Sequence, residues 1–366
     1  MPELSSLTLD RVEIRVVNVP IRRPIVSAVG TYDHWPFILV DLFTQQGVVG
    51  RSYLEPYLLA SAKYIVPAIE ALAQSLSGEP IAPIPTYEKA IRQFHLHGRQ
   101  GVSLIAASAI DMAIWDATAK AAGVPLASLL GGTVGPVRAY NTNGLWLIPL
   151  EQVAREASEL VEEGGFGGIK LRLGRARLED DLTALAEVRN AIGPNVEIMS
   201  DFNQALSFGD ALRRLHALDD QGLYWFEEPI VFDNYDQCAQ LARELKTPMQ
   251  IGENIYGPRD FYNAVKIGAA DLYMPDLMRI GGVTGFLRCA AIAGAANLPI
   301  SNHLYPEFSG HLLRVCETSD WLEWRDWGNP LLKEPFEVID GCMIVPDRPG
   351  AGIEWDEKAV QRFLVS

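Results

Sequence analysis

The sequence predicts an α/β protein in which a parallel (β/α) barrel follows a smaller α+β unit. From about residue 131 onward, short apolar strands alternate with amphipathic helices in units of about 25 residues. Such repeats are typical of parallel strands joined by right-handed crossovers. Polar residues also collect where these strands end, and a barrel carries its active site there. No GxGxxG motif follows the first strand, which disfavours the alternative of a doubly wound open sheet.

The first 130 or so residues have a different pattern. Alternating apolar and polar residues predict strands at 7–19, 37–44 and 48–54 in an antiparallel meander. Apolar residues at three- and four-residue spacing then predict helices at 60–76, 87–95 and 102–122, the last of which ends at Gly123. Strands followed by a block of helices are typical of an α+β unit.

The later repeat supplies six strands and five helices. The strands are predicted at 167–173, 196–201, 223–229, 249–254, 271–276 and 299–304. The intervening helices are predicted at 178–191, 208–218, 235–245, 258–267 and 285–296. We therefore expect the side chains at the ends of consecutive strands to meet at one rim of the barrel.

Charge and composition limit the classes of partner. The 46 acidic and 31 basic residues give a net charge of −15, which repels nucleic acid and anionic lipid, so we expect neither as a partner. The four cysteines lie far apart without a CxxC pair, which predicts reduced thiols instead of a zinc site or a disulfide framework. The first residues lack the hydrophobic stretch of a signal peptide, and we predict a cytoplasmic protein.

Three acidic residues follow consecutive barrel strands at equal spacing. Asp201, Glu227 and Glu253 are each 26 residues apart, which is one strand-helix unit. Carboxylates that meet at one rim repel each other, and a hard divalent cation relieves that repulsion. Oxygen ligands without Cys or His nearby favour Mg²⁺. One acidic residue at a strand end is more often a solvated cap, but three at this spacing favour a metal site.

The next units add a candidate base and a candidate acid. Asp276 and His303 end adjacent strands, and an aspartate bonded to one ring nitrogen of a histidine makes the other nitrogen a better general base. Glu323 lies among aromatic residues one unit later. We expect burial to keep Glu323 protonated, so that it donates to developing negative charge, although it is also able to bond a backbone group.

Two cations lie on the other side of the carboxylates. Lys170 and Arg172 occupy alternate positions of one strand and therefore face the same side, the barrel interior. Both are able to bind a substrate carboxylate. Lys170 is also a candidate base, because the neighbouring Arg172 would lower the lysine pKa.

These motifs together resemble the enolase superfamily, and within it the mandelate racemase subgroup. The resemblance extends over essentially the whole chain. It rests on IDMAIWDATAKAAGVPLASLLGG at 110–132, the KxR strand, SDFNQ at 200–204, WFEEP at 225–229, IGENIYGP at 251–258, MPDLMRIGGVTGF at 274–286, SNHL at 301–304 and DWLEW at 320–324.

The resemblance implies an architecture and a chemistry. It implies an α+β capping domain at 1–130, a (β/α)₇β modified TIM barrel at 131–345, a C-terminal segment at 346–366 that returns to the cap, and a homo-oligomer. The shared reaction is removal of the proton α to a carboxylate through an enediolate. The implied roles are Mg²⁺ ligands (Asp201, Glu227, Glu253), a base dyad (His303, Asp276), enediolate support (Glu323), and contacts to the substrate hydroxyl (Asn203) and carboxylate (Lys170).

One departure from the subgroup bears on the net reaction. Arg172 stands where mandelate racemase carries a second lysine as the base for the opposite face of the substrate. Guanidinium has a pKa above ~12 and is a poor proton acceptor. Racemisation needs a base on each face, whereas dehydration needs one base and an acid for the departing β-hydroxyl. Dehydration is therefore favoured, with Lys170 still open as a second base.

The cap region gives a prediction for the substrate. In the subgroup that the sequence resembles, the segment 22–35 corresponds to the flexible flap over the site. It contains His34, and Glu55 and Tyr57 follow the third predicted strand. We expect these three side chains to contact the substrate. A carboxylate at Glu55 is costly beside an aromatic ring but useful to hydroxyls. We therefore expect an acid sugar and a magnesium-dependent dehydratase. The alternatives are a racemase or epimerase of a 2-hydroxy acid, and a metal-dependent carboxylate-binding protein without turnover.

Overall fold

The computed structural model describes residues 7–27 and 30–365. Its strands are Leu7–Ser27 (β1), Gly30–Thr44 (β2), Val49–Leu54 (β3), Pro80–Ile81 (β4), Gly135–Asn141 (β5), Gly168–Arg172 (β6), Glu197–Asp201 (β7), Trp225–Glu227 (β8), Met249–Ile251 (β9), Leu272–Tyr273 (β10), Leu322–Trp324 (β11), Val338–Ile339 (β12) and Cys342–Val345 (β13).

The helices match most of the predicted bounds. They are Ala62–Leu76 (α1), Pro83–Gln93 (α2), Val102–Ala122 (α3), Leu126–Leu129 (α4), Leu150–Glu162 (α5), Leu178–Ile192 (α6), Phe208–Leu218 (α7), Tyr235–Glu244 (α8), Gly257–Ile267 (α9), Leu277–Ile280 (α10), Gly282–Ala295 (α11), Pro306–Leu313 (α12) and Glu357–Phe363 (α13). The second helix begins four residues earlier than predicted, at Pro83, because proline has no N–H to lose in the first turn of a helix.

The N-terminal cap is an antiparallel sheet covered by helices. Its strand order is β3-β2-β1-β4, and α3 packs against both β3 and α1. The helix lies very close to the sheet at Gly50, where an added Cβ would come within 2.0 Å of the Ala113 carbonyl oxygen. The long β1 and β2 pair as far as Ser27 and Gly30, so the predicted flap is a hairpin in the described residues.

The barrel is closed and parallel, as the sequence predicted. Neighbouring strands run from β5 through β6, β7, β8 and β9 to β10, and β11 pairs with β5 in parallel. Bridges from Ile300 to Tyr273 and to Ser319 close the ring between β10 and β11. The described part of the chain thus forms seven strand-helix units and a last strand. The first unit, β5 and α5, was not among the predicted units, since its strand is interrupted by Pro136 and Arg138.

The C-terminal residues lie on the cap. Residue Leu364 bridges to Val17 of β1, and Val365 N–H donates to the Val16 carbonyl at 2.9 Å. Arg15 pairs with Glu357 at 2.5 Å. The last segment therefore connects the barrel back to the first strand.

Helix α3 is the main buried helix of the cap. By length and composition alone it is apolar enough to cross a membrane, but 78% of its most apolar window is buried inside the protein. It packs on α1, α2 and β3 in the cap and on α10 and α11 of the barrel. Its apolar character is that of a helix between two packed layers.

Candidate active site

A cavity that is open at its mouth lies between the ends of the barrel strands and the cap. It brings together most of the side chains that the sequence selected. The lining residues are Ile25, Ser27, Tyr32, Trp35, Tyr57, Thr142, Trp146, Lys170, Arg172, Asp201, Asn203, Glu253, His303, Leu304, Glu323 and Trp327.

The histidine and aspartate of the candidate dyad are bonded. His303 Nδ1 lies 2.7 Å from Asp276 Oδ2, and the other oxygen of Asp276 accepts from Met278 N–H at 2.8 Å as the cap of α10. Burial lowers the pKa of His303, but Glu253 and the bond to Asp276 outweigh it and raise that pKa to about 9. The bond at Nδ1 therefore fixes the orientation of the His303 ring, and Nε2 contacts groups at the rim.

The predicted metal ligands lie at one rim but are held by protein donors. Lys170 Nζ is 3.0 Å from Glu227 Oε1 and 3.7 Å from Asp201 Oδ2, and Glu253 Oε2 is 3.1 Å from His303 Nε2. Within residues 7–27 and 30–365, no three Asp, Glu, His or Cys side chains are spaced to share a metal ion. Buried carboxylates take the nearest donors because an unpaired buried charge is costly.

The chemistry of these donors nevertheless fits a hard divalent cation. All three are carboxylates from the consecutive strands β7, β8 and β9. Burial, together with the charges of Asp201, Glu323 and Glu253, outweighs Lys170 and raises the pKa of Glu227 to about 8. The raised pKa reflects repulsion between crowded carboxylates, which is the condition that a divalent oxygen-bound cation relieves.

Glu323 differs from its predicted protonation state. Burial alone would raise its pKa, but Lys170, His303 and the Leu304 N–H outweigh burial and lower it to about 2. The ammonium of Lys170 is 2.6 Å from one oxygen, and Leu304 N–H donates to the other at 2.8 Å. The expectation of a protonated Glu323 was wrong for this arrangement, because aromatic surroundings do not reveal a buried ammonium beside the carboxyl group.

The two cations of the KxR strand both lie 3.7 Å from Asp201 Oδ2 but otherwise have different partners. Burial lowers the pKa of Lys170, but Glu227, Glu323 and Asp201 raise it above its usual value. Arg172 does lower the lysine pKa, as predicted, but the three carboxylates outweigh it, so Lys170 is not made a better base. Arg172 donates to the carbonyls of Thr142 and Gly144 at 3.3 and 3.2 Å and lies 3.7 Å above the Trp146 ring.

The predicted substrate contacts are placed unequally. Asn203 and Tyr57 line the cavity, and the Asn203 amide donates to Asp201 at 3.0 Å. His34 is half-exposed, bonds Asp33 at 2.9 Å and is not among the lining residues. Its predicted contact with substrate is not supported, because the hairpin directs it outward.

Glu55 has a different role from the one predicted. It is fully buried, with one oxygen paired to Arg325 and the other accepting from Trp35 Nε1 at 2.7 Å. The cavity wall in front of it is aromatic. Since both oxygens are engaged, Glu55 does not offer an acceptor to substrate hydroxyls, and the expectation of a polar cap wall was wrong at this residue.

Sequence profiles assign the chain to a known family. The profile described as "Enolase C-terminal domain-like" matches residues 152–359, and that of the mandelate racemase / muconate lactonizing enzyme N-terminal domain matches residues 11–131. The chain belongs to the enolase superfamily, in its mandelate racemase subgroup. Membership makes it an enzyme of the lyase or isomerase type, as the sequence predicted.

Individual members of the superfamily are similar over nearly the whole chain. The L-talarate/galactarate dehydratase of Salmonella typhimurium is 34% identical over 326 residues, 88% of this chain and 81% of that protein. A magnesium-bound enolase structure from the alphaproteobacterium BAL199 has a TM-score of 0.97 and 49% identity, covering 98% of this chain and 100% of its own. A Bradyrhizobium enolase complexed with magnesium and mandelic acid has a TM-score of 0.95 and 37% identity, covering 99% of both chains.

Two residues of this superfamily member were not singled out by the sequence. Glu228 is buried, and its Oε2 accepts from Gln204 at 2.8 Å and Asn254 at 2.7 Å. These partners follow Asp201 and adjoin Glu253, so Glu228 connects two of the carboxylate-bearing loops. Arg279 donates to the Glu253 carbonyl at 2.7 Å and lies 4.8 Å from the Tyr57 ring. The doubled glutamate of WFEEP was the sequence signal that could have identified Glu228. No comparable signal pointed to Arg279.

Proposed function

We propose that this enzyme is an acid-sugar dehydratase. It removes the proton α to the carboxylate of a 2-hydroxy acid and then eliminates the β-hydroxyl of that acid. The observation that carries the proposal is the His303–Asp276 pair, with His303 in the cavity across the barrel from Arg172. One side of the cavity thus offers a histidine base and the other a guanidinium, which is a poor proton acceptor. This asymmetry favours a one-base reaction.

Magnesium is the proposed cofactor. Asp201, Glu227 and Glu253 would hold it, and their all-carboxylate chemistry and mutual repulsion support that assignment. When bound, the ion supplies positive charge that stabilises the substrate carboxylate as negative charge develops on it. Lys170, whose pKa is raised, remains protonated and adds a second positive charge beside the same carboxylates.

The proton steps are assigned to His303. The neutral form of His303 takes the α-proton at Nε2, and Asp276 stabilises the imidazolium that forms. Loss of the β-hydroxyl then breaks the carbon–oxygen bond, and the imidazolium returns its proton to the departing oxygen as water. The enol that remains tautomerises to a 2-keto-3-deoxy acid, so atoms and charge balance with one histidine.

A second candidate is racemisation of a 2-hydroxy acid with an apolar substituent. It is favoured by the aromatic rings of Trp35, Tyr57, Trp146 and Trp327 at the cavity and by the likeness to the Bradyrhizobium enolase that binds mandelic acid. In that reaction Lys170 would have to exchange protons on the opposite face. Its raised pKa makes this costly.

Reaction in deuterated water with Mg²⁺ and a panel of 2-hydroxy acids tests both candidates. We expect a 2-keto acid to form from an acid that carries a β-hydroxyl. Deuterium at the α-carbon with retention of the hydroxyl and loss of optical purity would replace the dehydratase with the racemase. Binding without exchange or keto-acid formation across acid-sugar diastereomers would leave only a carboxylate-binding protein.

A further inference from the structure

A buried ion pair lies directly behind the aromatic wall of the cavity. Glu55 follows β3 in the cap, and Arg325 follows β11 of the barrel. Both side chains are almost completely buried, at 0% and 2% exposure, and they are paired to each other. Tyr305 also fixes the position of Glu55, because the Glu55 N–H donates to the Tyr305 hydroxyl at 3.0 Å.

Each partner of the pair also holds one ring of the wall. The second oxygen of Glu55 accepts from Trp35 Nε1 at 2.7 Å. The guanidinium of Arg325 lies 4.8 Å from the centre of the Trp327 ring. Trp35 and Trp327 themselves are in contact, with ring centres 4.8 Å apart. The four groups therefore form one closed set of contacts that spans the cap and the barrel.

The same rings continue across the cavity wall. Trp35 meets Tyr57 edge to face at 5.2 Å, and Trp327 meets Trp146 at 6.3 Å. All four rings line the cavity. Arg172 stacks on Trp146 at 3.7 Å, so the wall reaches from the cap to the KxR strand. A shift of Trp35 or Trp327 would change the space beside the substrate's α-carbon.

We propose that the Glu55–Arg325 ion pair is a specificity-determining element, which fixes Trp35 and Trp327 and so selects the substituent that a 2-hydroxy acid carries beyond its α-carbon. The inference rests on the proposed function for the identity of the ligand. Glu55 acts as a positioning residue. Its carboxylate binds the indole N–H of Trp35 outside the cavity, so the ring presents an apolar surface to the cavity. The substituent is therefore recognised by packing against the rings.

The physical basis is the cost of disturbing the pair. Removal of one charge leaves the other buried without its partner, which is strongly unfavourable, so the remaining group moves or draws in water. Either response displaces the ring that the group holds. Rings packed edge to face transmit such a shift because protein interiors have little free volume.

The test compares Glu55→Gln and Trp35→Phe with the wild-type holoenzyme. Calorimetry with Mg²⁺ present gives the affinities for mandelate and galactarate, one aromatic acid and one polyhydroxylated acid. We expect each variant to change the ratio of the two affinities about tenfold, the size of a discrimination made by packing. For the acid that is turned over, KM should change more than kcat, because His303 and Lys170 are not altered.

Trp115→Phe is the matched control. This variant also loses an indole hydrogen bond, which Trp115 Nε1 donates to Thr284 Oγ1 at 2.9 Å in the wild type. The bond lies at the contact of α3 with α11, away from the cavity lining. It should leave the affinity ratio unchanged. If Glu55→Gln does not fold, Arg325→Lys carries the test, since it keeps a positive charge opposite Glu55 but removes the planar guanidinium beside Trp327.

The outcomes separate this inference from the proposed function. Folded Trp35→Phe and Glu55→Gln proteins with the wild-type affinity ratio would overturn it. A changed ratio supports it even when wild-type protein forms no keto acid and exchanges no α-proton, a result that would overturn only the dehydratase. A wild-type protein that binds neither acid would overturn this inference, whereas the dehydratase is decided by keto-acid formation across the wider panel of 2-hydroxy acids.

Discussion

The two sides of the cavity differ in how their side chains are held. On the barrel side, Asp201, Glu227 and His303 follow parallel strands, whose spacing fixes where each side chain emerges. On the cap side, Trp35 and Tyr57 come from a long hairpin and from the residues after β3, and contacts with the barrel set their orientation. The comparison teaches that strand periodicity determines where the reactive groups lie, whereas tertiary packing determines the shape of the cavity around them.

The largest effect is expected on the barrel side, at His303. The replacement His303→Asn removes the proposed base while keeping a polar group beside Asp276. We expect α-proton exchange and keto-acid formation to fall about 10²- to 10⁴-fold, the range for loss of a general base. Rates in deuterated water measure this. Calorimetric Mg²⁺ binding is the control, and unchanged turnover would remove His303 from the mechanism.

The contact of α12 in the barrel with α4 in the cap should make the stability of the protein depend on pH through His311. Its Nδ1 accepts from Ala127 N–H at 3.1 Å, and Nε2 lies 3.3 Å from the Ala351 carbonyl. Burial lowers the pKa of His311 from 6.5 to about 4. The fold therefore favours the neutral ring, and its contribution to stability is complete above pH 6.5 and is lost as pH falls towards 4.

Denaturant unfolding of wild type and His311→Gln measures that contribution. Between pH 6.5 and 4 we expect the free energy of unfolding to fall further in wild type than in the variant, by roughly 3 kcal/mol at most. The difference between the two proteins isolates His311 from other titrating groups. Parallel pH curves for both proteins would contradict the assignment.

Within the cap, Gly50 tests the contact between sheet and helix. The replacement Gly50→Ala would place a Cβ 2.0 Å from the Ala113 carbonyl oxygen, and we expect it to destabilise the protein by about 1–3 kcal/mol, as overpacking does. Thermal unfolding checks this. Gly209→Ala in α7 is the control, because an added Cβ there has no neighbour within 4 Å. Equal unfolding temperatures for the two variants would argue against the close approach.

The smallest effect is expected from the support of the carboxylate loops. Glu228→Ala removes the acceptor shared by Gln204 and Asn254. We expect Mg²⁺ affinity to fall about 10- to 100-fold, as for other residues that orient ligands. Glu228→Gln keeps one acceptor oxygen and should lose less. Equal affinity in the alanine variant and wild type, measured by calorimetry, would show that the loops hold their positions without Glu228.

The sequence by itself determined the fold and the chemical groups on the barrel rim. The recurring strand-helix unit predicted the parallel barrel. Lys170 on β6 and His303 at a strand end reach one cavity, and Asp276 is bonded to His303. These predictions succeeded because a strand's side-chain direction and its end are local properties. The homo-oligomer and the cytoplasmic location stay predictions.

Only the tertiary structure decided the protonation of Glu323 and the orientation of Glu55. The ammonium of Lys170, 153 residues earlier in the chain, keeps Glu323 ionised. Arg325 lies 270 residues after Glu55 and is paired with it. Glu55 is therefore held behind the cavity wall, although it was expected to be part of that wall. Charge interactions depend on distance in space and on burial, and neither follows from the spacing of residues along a strand.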